Sequence, residues 1–122
     1  MTPWKAAALV AAGGLAGTSA RYGVTLLLPA AEYGPLATLA VNVSGAFALG
    51  RLVASSRVRP EVRLLAGTGV IGSFTTYSSF ALDVDQLLLA GRFWLALGYA
   101  VASLAGGLGA AWLGARAGRA SR

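Results

Sequence analysis

At 122 residues the chain has room for one domain. It is 57% apolar and only 11% charged, more apolar surface than a soluble domain of this size can hide. Its net charge of +6 sits on basic residues at segment ends, with no basic face and no interleaved aromatics, which sets nucleic acid aside as a partner.

The chain holds no Cys and no His, so disulfides, thiolate chemistry and imidazole bases are removed. The four acids, Glu32, Glu61, Asp83 and Asp85, all stand away from the middle of an apolar run. A hydrolase or a proton-coupled pump would want a carboxylate or His at depth, so both are disfavoured and no enzyme is expected. The apolar excess is spread over four long segments. This predicts an all-α membrane protein, one domain over residues 1–122, with spans near 4–28, 36–55, 62–90 and 93–115.

The first segment is rich in Ala and Gly, and Gly13 and Gly17 form a GxxxG pair suited to close helix packing in lipid. A small-residue cleavage site is conceivable around 16–20, but apolar character resumes after Arg21, so the segment reads as a retained span. Arg21 has two readings: a side chain that snorkels to the interface, or a cation at an anion vestibule. Pro29 ends the span, and residues 30–35 read as a short loop. The second segment carries Asn42 in the middle of an apolar face. Such an amide either bonds across helices or offers its N–H groups to an anion.

Residues 56–63 read as a basic loop with Pro60 breaking any helix. The third segment is the unusual one. Nine residues, Gly72 to Phe80, include five hydroxyls: Ser73, Thr75, Thr76, Ser78 and Ser79. A span that only met lipid would use Leu or Val there. Hydroxyls satisfy backbone groups freed when a helix breaks, so a mid-membrane break is predicted near 72–76. Tyr77 and Phe80 follow, one turn apart on one face. Gly67 to Gly72 spells GxGxxG, but it lacks the βαβ context and distant acid of a dinucleotide site, so its glycines are assigned to packing and the break. The fourth segment puts Tyr99 and Ser103 on one stripe with Gly107. The tail, 116–122, is basic and is expected to fray.

Four spans put both termini on one side. Lys5, Arg51, Arg57, Arg59, Arg63, Arg116, Arg119 and Arg122 fall with the termini, and Arg21 and Arg92 fall opposite, which predicts termini in the cytoplasm.

Three motifs in order, Gly13-Gly-Leu-Ala-Gly17 with Arg21-Tyr22, Val41-Asn-Val-Ser-Gly45 and Gly72-Ser-Phe-Thr-Thr-Tyr-Ser-Ser-Phe80, resemble the Fluc (CrcB-type) fluoride channels. The third is the specific one, and the likeness covers the whole chain. The resemblance implies a fluoride-selective channel in the cell (inner) membrane that exports fluoride down its gradient. It implies an antiparallel dimer with two pores and a structural sodium ion (Na+) at its centre, held by the backbone carbonyls of Gly72 and Thr75. It also implies a fluoride pathway past Asn42, an aromatic box of Tyr77 and Phe80, Ser79, and a polar track of Tyr99 and Ser103, with Arg21 near an entrance. This chain departs from the family pattern in Tyr77 for Phe, Asp83 for Glu and Gly107 for a hydroxyl residue. The Lys/Arg bias further suggests fixed orientation, so the dimer partner is either the chain itself or a second family member inserted the other way. A small multidrug transporter is the alternative, but it would need a carboxylate in the first span. A non-transporting assembly protein would not need the hydroxyl-rich break.

Overall fold

The computed structural model describes residues 1–120, which are helical throughout apart from short connections. The order is α1 (Pro3–Leu27), α2 (Ala30–Tyr33), α3 (Pro35–Ala54), α4 (Pro60–Val62), a π-helical stretch (Arg63–Ile71), α5 (Gly72–Phe74), α6 (Tyr77–Leu89) and α7 (Phe93–Ala120). Ser121 and Arg122 lie outside the described residues, and so does the last cation of the charge count.

Proline sets the helix starts. Pro3, Pro35 and Pro60 each occupy the first residue of a helix, where the missing N–H costs nothing and the fixed φ is already helical. Pro60 therefore opens a helix rather than preventing one, which corrects the basic-loop reading of residues 60–63. Residues 30–33 form one helical turn instead of open loop, closed by Gly34 at φ +49 before Pro35 restarts the chain. The second positive φ, at Gly91, makes the turn into α7. The tail does not fray up to Ala120. Ala and Arg are good helix formers, and Gly118 is buried with a missing Cβ aimed at the Arg51 carbonyl.

The helices associate as two close pairs. In one, α3 lies along α7. Gly50 faces the Ala111 carbonyl, Gly114 faces the Phe47 carbonyl, and in each case a Cβ would collide with backbone. In the other pair, α1 lies along the π-helical stretch and α5. There Gly13 and Gly17 face the carbonyls of Leu65 and Val70, and Gly69 packs back on Gly13. The GxxxG pair thus works within the chain, as a seam between helices. Along that seam the pitch widens: the Gly72 N–H donates to the Gly67 carbonyl, five residues back.

After Phe74 the chain changes partners. The π stretch and α5 pack on α1, whereas α6 packs on α7 and α3. The small core lies here, with Leu87, Ala96 and Tyr99 buried against Leu39, Phe80 and Val84.

Two helices, Pro35–Ala54 and Phe93–Ala120, are long and apolar enough to cross a membrane, each with a mean hydropathy of 1.5 over its most apolar window. Only 17% of each window is buried within the chain. A core helix of a soluble protein would be mostly covered, so these faces need another apolar surrounding. The accessible surface, 7655 Å², also exceeds the roughly 6,100 Å² of a compact water-soluble monomer of this mass.

Candidate functional site

The site is built on two residues that are not helical. Thr75 (φ −74, ψ 155) and Thr76 (φ −147, ψ 122) are extended and separate α5 from α6. A helix interrupted this way leaves carbonyls and N–H groups without partners, and away from water each must be satisfied.

Asn42, from α3, supplies the main replacement. Its Nδ2 donates to the Thr76 carbonyl at 2.9 Å, and its Oδ1 accepts from the Thr76 N–H at 2.8 Å. The pairing fixes the amide orientation, because a peptide N–H only donates and a carbonyl only accepts. One N–H of the amide remains for a further acceptor. Thr76 then caps α6, its Oγ accepting from the Ser79 N–H at 3.2 Å. The Thr76 hydroxyl also donates to Ser79 Oγ at 3.2 Å and lies 3.1 Å from Ser78 Oγ. Thr75 Oγ folds back to donate to the Ile71 carbonyl at 3.0 Å.

These substitutions divert two ladder bonds. In a continuous helix the Gly72 carbonyl would accept from the Thr76 N–H, which here goes to Asn42. The Thr75 carbonyl would accept from the Ser79 N–H, which here goes to Thr76 Oγ. The Gly72 and Thr75 carbonyls thereby lose those two ladder bonds.

Beside the interruption lies an open groove of about 440 Å³, lined among others by Asn42, Thr75, Thr76, Tyr77, Phe80 and Ser103. Its aromatic wall continues inward. Tyr77 and Phe80 have ring centroids 6.0 Å apart, and Phe80 and Tyr99 5.4 Å, all tilted. Tilted rings present positive edges as well as faces. The groove is mostly apolar with a few convergent donors, an arrangement able to hold a small anion whose water has been stripped.

The family model for the CrcB-like proteins (Camphor Resistance, CrcB) matches residues 8–115. The chain belongs to this family. It is similar to proteins named fluoride-specific ion channel FluC from Chlorobium phaeobacteroides (strain BS1), 44% identical over 105 residues and 82% of each chain, and from Prosthecochloris aestuarii (strain DSM 271 / SK 413), 40% identical over 116 residues and 91% of each chain. A third, fluoride-specific ion channel FluC 2 of Symbiobacterium thermophilum, is 45% identical over 115 residues, 88% of this chain and 92% of its own.

In this CrcB-like chain the residues singled out from the sequence fall into two groups. Asn42, Tyr77, Phe80 and Ser103 line the groove together with Gly72 and Thr75. Ser103 Oγ is buried there with no well-formed hydrogen bond among the described residues, its polar neighbour being the Tyr99 hydroxyl one turn earlier. Ser79, Tyr99 and Arg21 are not on the groove wall. The Ser79 hydroxyl belongs to the α6 cap, and the Tyr99 hydroxyl donates to Asp83 Oδ2 at 3.0 Å while its ring backs Phe80. Arg21 stands half-buried on α1, which contributes no groove residue. Beyond Ser103, Gly107 borders open space, with nothing within 4 Å of where its Cβ would be.

Two residues of the site figure in the sequence only as members of motifs, with no role of their own. Thr76 is its keystone, buried to 8% exposure and bonded on both its peptide and its hydroxyl. The available signal was its position as the last Thr before an apolar helical run, an N-cap pattern. Gly45 is the other: a Cβ there would collide with Thr75 Cγ2, so glycine one turn after Asn42 is what lets the interruption settle against α3.

Proposed function

We propose that this CrcB-like chain conducts fluoride passively out of the cell, as one half of an antiparallel dimer in the cell membrane. The observation that supports this most is the interruption itself. At Thr75–Thr76 a helix gives up its ladder next to a groove lined by the Asn42 amide, Ser103 and tilted rings at Tyr77 and Phe80. Fluoride is small and strongly hydrated. A path for it must replace water with several donors, each weak enough to let go. The names of the curated relatives point to the same ion.

In this reading four spans cross the bilayer, with the third interrupted at mid-depth and both termini in the cytoplasm. The single chain leaves the groove open and Tyr77 79% exposed. An inverted second copy, or a second family member of opposite orientation, closes that side. Arg21, away from the groove, belongs to an entrance vestibule. Ser79 and Tyr99 act on the path through Thr76 and Phe80. A structural sodium ion fits the carbonyl oxygens of Gly72 and Thr75, because a hard cation is bound by carbonyls of unwound helix. Held there, it would supply positive charge beside those carbonyls.

The test is fluoride efflux from liposomes holding the purified protein, with chloride as the control ion. Fluoride is expected to leave and chloride to stay. If neither moves even with a paired partner present, conduction is refuted. Phe80→Ile is expected to slow fluoride at least roughly ten-fold, the equivalent of one lost interaction of ~1.4 kcal/mol, while assembly persists. Unchanged flux would return Phe80 to a packing role.

A further inference from the structure

The two tryptophans of α7 stand 18 positions apart, Trp94 and Trp112, both exposed. At ~1.5 Å rise per residue that is about 27 Å, close to the thickness of a hydrocarbon core. Tryptophan settles at the membrane–water boundary. The outward stripe between them, Val101 and Leu108, is exposed and apolar, as acyl chains require. The glycines that seat α7 on α3, Gly114 and Gly118, lie on the opposite side of the helix from Trp112.

The two ends then differ. The Trp94 ring is met edge-on by Phe93, with only Arg92 beside them in sequence. At the other end Arg116 and Arg119 continue the Trp112 face at one and two turns, both exposed. The Arg116 guanidinium lies 4.8 Å over the Trp112 ring, and the three side chains enclose an open pocket of about 330 Å³. Neither arginine has a carboxylate partner among the described residues, since the ion pairs there use Lys5 and Arg59 with Glu61. Cation–π stacking fixes one guanidinium, and the second stands a turn away, so two forked donors converge just beyond boundary depth.

We propose that this end of α7 binds the headgroup phosphate of an anionic phospholipid between Arg116 and Arg119, with its acyl chains along Leu108 and Val101. The site rests on α7 crossing the membrane. It does not rest on fluoride conduction.

The experiment uses two single-tryptophan versions of the full chain. One retains Trp112 (Trp4→Phe, Trp94→Phe) and the other retains Trp94 (Trp4→Phe, Trp112→Phe). Each is placed in phosphatidylcholine nanodiscs doped with brominated phosphatidylglycerol or, at the same mole fraction, brominated phosphatidylcholine. Trp112 is expected to favour the anionic quencher by roughly five-fold or more, and Trp94 to show no preference. Arg116→Gln with Arg119→Gln is expected to abolish the preference while the Trp94 signal of the same variant stays unchanged, which shows that it still folds and inserts. Equal quenching of Trp112 by both lipids, or a preference that survives the double variant, overturns the site. Displacement by excess inorganic phosphate makes the occupant a free anion and overturns the lipid. No quenching by either lipid removes α7 from the bilayer and the site with it. A retained preference in a protein that moves no fluoride supports the site and counts against conduction alone.

Discussion

The two helix pairs are joined by the same device and end differently. In α3–α7, Gly50, Gly114 and Gly118 bring backbone against backbone, and both helices run unbroken past the seam. In α1 with the π stretch, Gly13, Gly17 and Gly69 do the same, yet the second partner widens its pitch for nine residues and stops at Thr75. Glycine contact therefore tolerates a change of pitch, but it does not hold an interruption. For that the first pair lends a side chain, Asn42, to the second. Close packing fixes where the helices lie, and one amide decides where the ladder is allowed to open.

If both seams are backbone contacts, breaking either should have the largest effect. A Cβ at Gly114 would meet the Phe47 carbonyl, and one at Gly17 the Val70 carbonyl; neither can rotate away. Gly114→Val and Gly17→Val are each expected to cost roughly 3 kcal/mol or more. The loss should show as a lower thermal midpoint and a lost monodisperse peak in detergent. Gly107→Ala, which borders open space, is expected to be neutral or to stabilise by up to ~1 kcal/mol through helix propensity. If Gly114→Val and Gly107→Ala behaved alike, the seams would not be the close contacts described.

Asn42 is the next way to separate packing from opening. Asn42→Asp keeps an acceptor for the Thr76 N–H but loses the donor to the Thr76 carbonyl and sets a carboxylate beside it. Leaving that buried carbonyl unpaired is expected to cost ~1–3 kcal/mol. Fluoride flux should be lost altogether, and the Ser79 amide should exchange faster with solvent. Normal flux in Asn42→Asp would put Asn42 off the route while leaving its clamp intact.

The sequence shows some of this comparison and hides the rest for physical reasons. The interruption falls inside the hydroxyl-rich stretch Gly72–Phe80, because two β-branched Thr residues with local hydrogen-bonding hydroxyls are poor helix formers and good caps. The seam glycines were visible as a GxxxG pair. The π pitch was not, since it depends on how Leu65 and Val70 meet another helix. Nor was the Asn42–Thr76 clamp, which joins residues 34 apart. Tyr99 was placed on a fluoride track with Ser103 by the resemblance. Its bond to Asp83 needs the rotation of α6 against α7, which periodicity does not fix when nearly every face is apolar. The persistence of α7 beyond residue 115 was missed for a similar reason: a basic tail reads as frayed until Gly118 is seen packed on Arg51.

The α6 cap tests the far side of the interruption with a smaller effect. Thr76→Val keeps the shape and removes the oxygen that accepts from Ser79. It is expected to cost ~1 kcal/mol, the usual worth of an N-cap, and Thr76→Ser should restore most of it. Thermal midpoints of the two variants measured side by side would show this. Equal midpoints would mean that Asn42 alone holds the start of α6.

The weakest tie between the pairs and their connections is at Glu61, at the entry to the π stretch and outside the apolar run. Its carboxyl is held below the ordinary value of 4.5, first by a backbone hydrogen bond in its own turn, then by Arg59 and Lys5, despite partial desolvation. Lys5 Nζ lies 3.9 Å away and Arg59 Nε 3.7 Å, so one carboxylate links the starts of α1 and α4. A folded value depressed below the unfolded one means that the stabilisation is fully present above about pH 4.5 and is lost as pH falls through the folded value. The group is half-exposed, so the effect should be small and weakened by salt. Thermal midpoints of the native chain and of Glu61→Gln should therefore differ slightly at neutral pH and converge in acid. A difference that grew as pH fell would mean that the Glu61 carboxylate does not stabilise the fold, and that α1 is held by its glycine seam with the π stretch alone.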